Sequence, residues 1–192
     1  TQRFQRGAWA MAALKHDAVV RILDERVEDG GYYCFAMELM RGGTLQKAIL
    51  DKTLPPERIF PLVLRVCDAL VEAHSHRFVH RDVKPANVLL DEEGSPRLTD
   101  FDLVIAEGTS NQTRSGQMGT FLFAAPELQE RPQDADVRAD VYSMGMTALF
   151  CLHGGLPLLR ALDRTLDKLP GQRVADVLRK AVAQRPEDRY RD

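Results

Sequence analysis

The sequence predicts an α+β fold, with a helix and a β-hairpin at the N-terminus and a mainly α-helical remainder. Three observations carry that reading. Phe4, Ala8, Met11, Ala12 and Leu14 form an apolar stripe at helical spacing within Thr1–Lys15. Val19–Val27, rich in β-branched residues, and Tyr32–Met37 flank the turn sequence Asp29-Gly30-Gly31, the pattern of a hairpin. Further on, Leu62, Val63, Val66, Ala69, Leu70 and Ala73 line one face of a long helix between Ile59 and Arg77.

The remaining elements follow in order. Arg41-Gly42-Gly43-Thr44 breaks the second strand, and Thr44 or Gly43 can cap a helix from Leu45 to about Lys52. Leu54-Pro55-Pro56-Glu57 is a turn, with an acid suited to the first turn of the long helix. Val88-Leu89-Leu90 reads as a short buried strand, and Asp91–Ser95 as the polar turn after it. Asp140–Gly145 opens the most apolar helix, which runs to about Leu152 and ends at Gly154-Gly155-Leu156-Pro157. Helical stretches follow near Ala161–Lys168 and Val174–Ala183.

Composition narrows the function classes. With 192 residues and 44% apolar content, the chain can bury one substantial core. A net charge of −2 gives no sign of nucleic-acid or membrane attraction. Cys34, Cys67 and Cys151 are scattered, without a CxxC pair, and are expected to be buried thiols in a reducing compartment. His74 and His76 close the long helix and read as cap or packing residues, since no Cys or acid joins them at metal-ligand spacing. No apolar run reaches the ~18 residues a membrane span requires. Beginning at Thr1, the chain reads as an excerpt of a longer protein.

The chemistry concentrates in His80-Arg81-Asp82-Val83-Lys84-Pro85-Ala86-Asn87, between the long helix and the strand at 88–90. Pro85 prevents the segment from continuing as helix. A loop so placed can aim a carboxylate at a hydroxyl, an ammonium at a phosphate and an amide carbonyl at a divalent cation. Those are the parts of phosphoryl transfer, where catalysis is mostly positioning and charge stabilisation. A charged triplet alone is more often a solvated turn. Three further landmarks argue against that: Asp100-Phe101, eighteen residues after Asp82; Ala125-Pro126-Glu127; and Arg185-Pro186-Glu187-Asp188-Arg189.

With these motifs the sequence resembles the eukaryotic-type serine/threonine protein kinase domain, and Arg3–Ala8 with Leu14–Val20 looks most like its bacterial members. The resemblance implies a kinase-like fold, with residues 1–40 a partial small lobe and hinge and 41–192 the large lobe. Asp82, Lys84 and Asn87 would be catalytic, and Asn87 and Asp100 would hold Mg2+. Met37, Glu38 and Met40, with Leu89, Lys84, Asn87 and Asp100, would bind ATP. Met37, which on its own reads rather as core packing, would guard the back of the adenine pocket, and Glu38, Leu39 and Met40 would be the hinge. Asp140 would bond backbone amides of the catalytic loop, or else serve as a helix N-cap. Glu127 would pair with Arg189 in a buried ion pair, and Thr120 would reach Asp82 and Lys84. Thr109, Ser110, Thr113 and Ser115 are candidate phosphorylation sites whose phosphate could pair with Arg81, or simply parts of a linker. Lys84 implies serine and threonine substrates. The partners implied are ATP, a protein substrate and regulatory domains outside this segment, with neither nucleic acid nor membrane contact within it. The implied location is the cytoplasm, as a free protein or as the cytoplasmic part of an anchored one.

Two positions depart from the family pattern. Gly7 stands where an acid usually pairs with a strand lysine, and Asp102 replaces the glycine after Asp100-Phe101. A residue with a Cβ resists the backbone angles that Gly allows there, and a further carboxylate beside the metal could ligate it or repel phosphate. Two alternatives therefore stay open: a pseudokinase that binds ATP without transfer, and a small-molecule phosphotransferase of related fold. The Lys84-Pro85 pair and Ala125-Pro126-Glu127 argue against the second.

Overall fold

The computed structural model describes the chain except residues 1, 30–31, 102–104, 107–121, 131–134, 156–161, 170 and 192. Helix α1 (Gln2–Ala13) leads through a short link to the antiparallel hairpin β1 (Ile22–Asp29) and β2 (Tyr32–Met37), in which Ile22 faces Met37 and Asp29 faces Tyr32. Val19, expected to begin the first strand, instead forms an isolated parallel bridge to Leu98. The Val20 amide donates to Leu98 O at 3.0 Å and the Leu98 amide to Ala18 O at 2.7 Å. These bonds tie the N-terminal unit to the sheet beside segment 80–87.

That sheet is small, with order β3 (Gly43–Thr44), β5 (Val88–Leu90), β6 (Pro96–Leu98). Gly42 lies so close to the next strand that a Cβ there would sit 2.3 Å from Asp91 O, which only glycine avoids. Thr44 caps α2 (Leu45–Leu50), its Oγ1 accepting from the Lys47 amide at 3.1 Å. Helix α3 (Pro56–Ser75) starts three residues earlier than its apolar period suggests. Pro56 occupies a position whose N–H has no helical partner anyway, and Glu57 complements the dipole. Ile59, Leu62, Val66, Ala69, Leu70 and Ala73 are its buried face, as spaced in the sequence. A two-residue strand, β4 (Phe78–Val79), pairs with β7 (Ile105–Ala106).

Helix α4 (Pro126–Glu130) precedes α5 (Val137–His153), which is buried nearly all round, from Ala139 to Cys151. Its N-cap is Asp136, whose carboxylate accepts from the Arg138 amide at 2.9 Å, so the capping role open to Asp140 falls to a residue one turn earlier. Gly154 ends it in the left-handed conformation, with φ 75°. Helices α6 (Leu162–Asp167) and α7 (Gln172–Ala181) complete the packing around α5. One continuous apolar core runs from Met11 on α1 and Leu14 just after it, through Val66 and Leu70, to Met146, Leu149 and Phe150 on α5.

The cysteines divide. Cys151 is buried and Cys67 half-buried, and burial pushes their thiol pKa values up to about 12 and about 11, the Asp68 charge adding to the effect at Cys67. Cys34, expected inside, is exposed. On β2 it points to the face opposite Phe35, which packs on the core.

Candidate active site

The segment 80–87 leaves β4 and is fixed from below by α5. The fully buried Asp140 accepts from the His80 amide (2.8 Å) and from His74 Nε2 (2.8 Å) at Oδ2, and from the Arg81 amide (2.7 Å) at Oδ1. His74 therefore packs against the site rather than standing at a metal centre, and His76 is the C-cap of α3. Among the described residues no cluster of three or more His, Cys, Asp or Glu side chains is placed to hold a metal.

Arg81 adopts φ 66°, a left-handed conformation that costs a non-glycine residue ~1 kcal/mol or more and persists only where surroundings impose it. The Asp140 clamp on two successive amides is that imposition. The Arg81 guanidinium donates to Ala135 O at 2.8 Å. Burial lowers its pKa below the usual arginine value, and the Asp140 carboxylate opposes that shift.

Asp82, Lys84 and Asn87 converge. Lys84 Nζ donates to Asp82 Oδ2 at 2.7 Å, and Asn87 Nδ2 donates to the same oxygen at 3.1 Å and to Asp82 O at 2.9 Å. A 3-10 turn, Pro85–Asn87, makes this possible by curling the chain back, closed by the Asn87 amide on Lys84 O at 2.9 Å. Two consequences follow from the donor directions. With Oδ2 engaged twice, Asp82 Oδ1 is the oxygen left to meet a hydroxyl. With Nδ2 committed to Asp82, Asn87 can offer only Oδ1 to a cation.

The second half of the site is held through His80. Its Nε2 bonds Thr99 O at 3.0 Å, and its Nδ1 accepts from the Asp82 amide at 3.3 Å, so the ring proton belongs on Nε2. The Thr99 amide in turn donates to Asn87 O at 3.0 Å. Asp100 then turns at φ 68° and is exposed, while Phe101 is fully buried with its ring 4.5 Å from that of His80. Asp102, Thr109, Ser110, Thr113, Ser115 and Thr120 lie outside the described residues.

Met37, at the end of β2, is 40% exposed, and Leu39 is exposed. Met40 and Leu89 are half-buried. The Glu38 amide donates to Arg21 O at 3.0 Å, so of its two backbone groups only the carbonyl can be offered to a base. Gly7 is buried on α1.

Farther from the loop, Glu127 and Arg189 form a bidentate pair, Nη1 to Oε1 at 2.6 Å and Nη2 to Oε2 at 2.9 Å. Arg189 also donates to Ala183 O, Arg138 O and Gln184 O, and its guanidinium lies 4.9 Å from the Tyr142 ring centre. The expected partner 62 residues away is thus in place. Sequence reasoning missed the His74–Asp140 bond and the side-chain partners of Glu38, which lack any periodic or motif signal.

The family model described as "Protein kinase domain" matches residues 2–188. The chain is 34% identical to the serine/threonine-protein kinase PknL of Mycobacterium tuberculosis, over 99% of this chain and 51% of that protein. It is 31% identical to PknB of Mycobacterium leprae, over 98% of this chain and 33% of that protein. Identity reaches 37% with the DNA damage-responsive serine/threonine-protein kinase RqkA of Deinococcus radiodurans, over 85% of this chain and 25% of that protein. The chain thus spans about half, or less, of the length of these curated relatives. Match, motifs and loop geometry agree: the chain belongs to the protein kinase family, as a domain of the bacterial serine/threonine type.

Proposed function

We propose that the protein transfers the γ-phosphoryl group of ATP to serine or threonine hydroxyls of a protein substrate. Residues 1–40 contribute to the small lobe and hinge and 41–192 form the large lobe. The observation that carries this reading is the convergence of Lys84 and Asn87 on Asp82 Oδ2. In the reaction a substrate oxygen forms a bond to phosphorus as the bond to the β-phosphate oxygen breaks, and ADP leaves. Asp82 Oδ1 orients the hydroxyl and takes its proton. Lys84, already within reach of the Asp82 carboxylate, offsets charge on the transferring group. Asn87 Oδ1 and the exposed Asp100 carboxylate are hard oxygen donors suited to Mg2+, and this donor chemistry is the reason they fit the ion. Bound there, Mg2+ would neutralise phosphate charge. The Glu38 carbonyl and the backbone of Leu39 and Met40 form the adenine edge, with Met37 and Leu89 as apolar walls.

A second reading, a nucleotide-binding pseudokinase, is favoured by Gly7, which puts no carboxylate on the buried face of α1. The two are separated by labelled Mg-ATP and a generic Ser/Thr substrate, using the full-length protein and Asp82→Asn. Transfer that falls by orders of magnitude in the variant, with ATP affinity little changed, establishes the kinase. Turnover unaffected by Asp82→Asn would sink the assignment of Asp82, and bound nucleotide without transfer would favour the scaffold. By its relatives the substrate is a protein, and regulatory domains beyond this segment and a cytoplasmic setting complete the proposal. Among the described residues no helix is long and apolar enough to cross a membrane.

A further inference from the structure

We infer that Glu38 and Arg97 form a latch that sets the adenine edge against the strand leading to Asp100, and that Arg97 is a positioning residue for nucleotide binding. The inference rests on reading 38–40 as the adenine edge. Glu38 is held at two places. Its amide donates to Arg21 O at 3.0 Å, and its Oε1 accepts from the Arg21 amide at 2.7 Å, which closes a reciprocal ring between the two residues. The same Oε1 lies 3.2 Å from Arg97 Nη1. One carboxylate oxygen thus joins the link before β1, the end of β2 and the middle of β6.

An ordinary surface ion pair would do little, because exposed pairs are screened and lose side-chain entropy. Here the side chains are only 27% (Arg97) and 19% (Glu38) exposed, and Oε1 also holds a main-chain amide. Glu38 therefore gives up the Arg21 amide as well as the Arg97 guanidinium if it swings away to solvent. Arg97 stands on a strand that cannot shift freely either. Its neighbour Leu98 is bonded on both sides, to Ala18 O and from the Val20 amide, and its own position pairs with Leu89. Three residues on, the same strand delivers Asp100. The latch consequently fixes the distance between the base-binding edge and the proposed metal ligand, which a nucleotide must span. Loss of the pair frees the edge to sample other positions, and nucleotide affinity falls by the fraction of time the binding position is lost.

The test measures Mg-ATP and adenosine binding calorimetrically on the full-length protein, with Arg97→Leu, Arg97→Lys and Glu38→Gln. Arg97→Leu should weaken both ligands about two- to fivefold, the range expected of an ion pair that solvent still reaches. Arg97→Lys should recover most of it, since a single ammonium contact reaches Oε1. Glu38→Gln, which keeps an acceptor for the Arg21 amide, should fall between. Equal affinity in wild type and Arg97→Leu overturns the latch while leaving the adenine edge intact. Weakening that lysine does not restore also overturns it, since general loss of packing would then be the cause. Wild-type protein that binds neither adenosine nor ATP overturns the adenine-edge reading itself, and the latch with it.

Discussion

The guanidinium of Arg189 is buried and bonded at all three of its nitrogens, and removing its counter-ion tests the energetics directly. A guanidinium has five N–H donors. Here Nε meets Ala183 O at 2.7 Å, Nη1 meets Glu127 Oε1 and Arg138 O, and Nη2 meets Glu127 Oε2 and Gln184 O. The side chain is 0% exposed, and that of Glu127 17%. Glu127→Gln keeps the shape and one acceptor but leaves a buried cation without its anion, which costs about 3–5 kcal/mol. With a urea slope of about 2 kcal/mol per M, the unfolding midpoint should fall by about 1.5–2.5 M. The measurement is equilibrium urea unfolding at fixed nucleotide concentration, since a bound ligand would shift the midpoint by itself. Adding Arg189→Met to Glu127→Gln should recover part of the loss, because the unpaired charge is gone and Tyr142 offers the new side chain an apolar surface. A Glu127→Gln loss below about 1 kcal/mol would refute the reasoning, because a buried, unpaired guanidinium cannot be that cheap. So would a double variant no more stable than the sum of the singles, since paired charges must couple.

Asp140→Asn should be costly in a different way. Two carboxylate oxygens now meet three donors, and an amide nitrogen at either position would face an N–H, leaving a buried donor unmet at about 1–3 kcal/mol. Because the lost bonds hold His80 and Arg81, phosphate transfer should fall much more than ATP affinity; equal falls in both would point to simple unfolding. Thiol labelling should resolve the cysteines. With a pKa of about 11, Cys67 is only about one part in a thousand thiolate at pH 8, and its labelling rate should rise about tenfold per pH unit towards pH 11. Exposed Cys34 should label first, and Cys151, at about 12 and buried, only on unfolding. Equal rates for all three thiols would contradict the burial described.

The sequence made legible whatever has a period or a fixed spelling. Tyr32–Met37 and Val88–Leu90 have the bounds that their patterns indicate, because β-branched and aromatic runs end at turns. The buried face of α3 is readable because Ile59 to Ala73 repeats every three or four residues. Its start is not, because Pro55-Pro56 signals a turn and a first helical position equally well. The start of α5 is hidden by a choice among acids: Asp134, Asp136 and Asp140 all suit a helix N-terminus, and only the folded chain selects Asp136 as cap and frees Asp140 for the loop. β4 and β7, two residues each, are too short for any period to register. The Glu38–Arg97 and His74–Asp140 contacts join residues 59 and 66 apart in sequence, and nothing local marks either partner. Cys34 reads as a buried thiol by residue type, but strand alternation puts Phe35 on the core face and leaves Cys34 the other.

The geometry also bears on what the missing acid at position 7 can and cannot impair. Arg81 and Asp100 are both held at positive φ, 66° and 68°, and together they store roughly 2–6 kcal/mol of backbone strain. The restraints named for them lie within 74–101 and α5: Asp140 on the His80 and Arg81 amides, His80 on Thr99 O, Thr99 on Asn87 O, and the His80 ring against Phe101. Helix α1 reaches this frame at Met11, whose sulfur lies 3.9 Å from the Thr99 hydroxyl, and at Trp9, whose ring meets that of Phe78 edge-on with centroids 5.6 Å apart. None of the restraints named for segment 80–87 involves Gly7. On the proposed reading, an acid at that position would pair with a strand lysine that holds the nucleotide's phosphates, not with the group that meets the substrate hydroxyl. A chain under no demand for transfer has no physical reason to keep Lys84 and Asn87 aimed at one oxygen of Asp82 inside a strained loop. The convergence therefore supports the kinase proposed above over the scaffold reading.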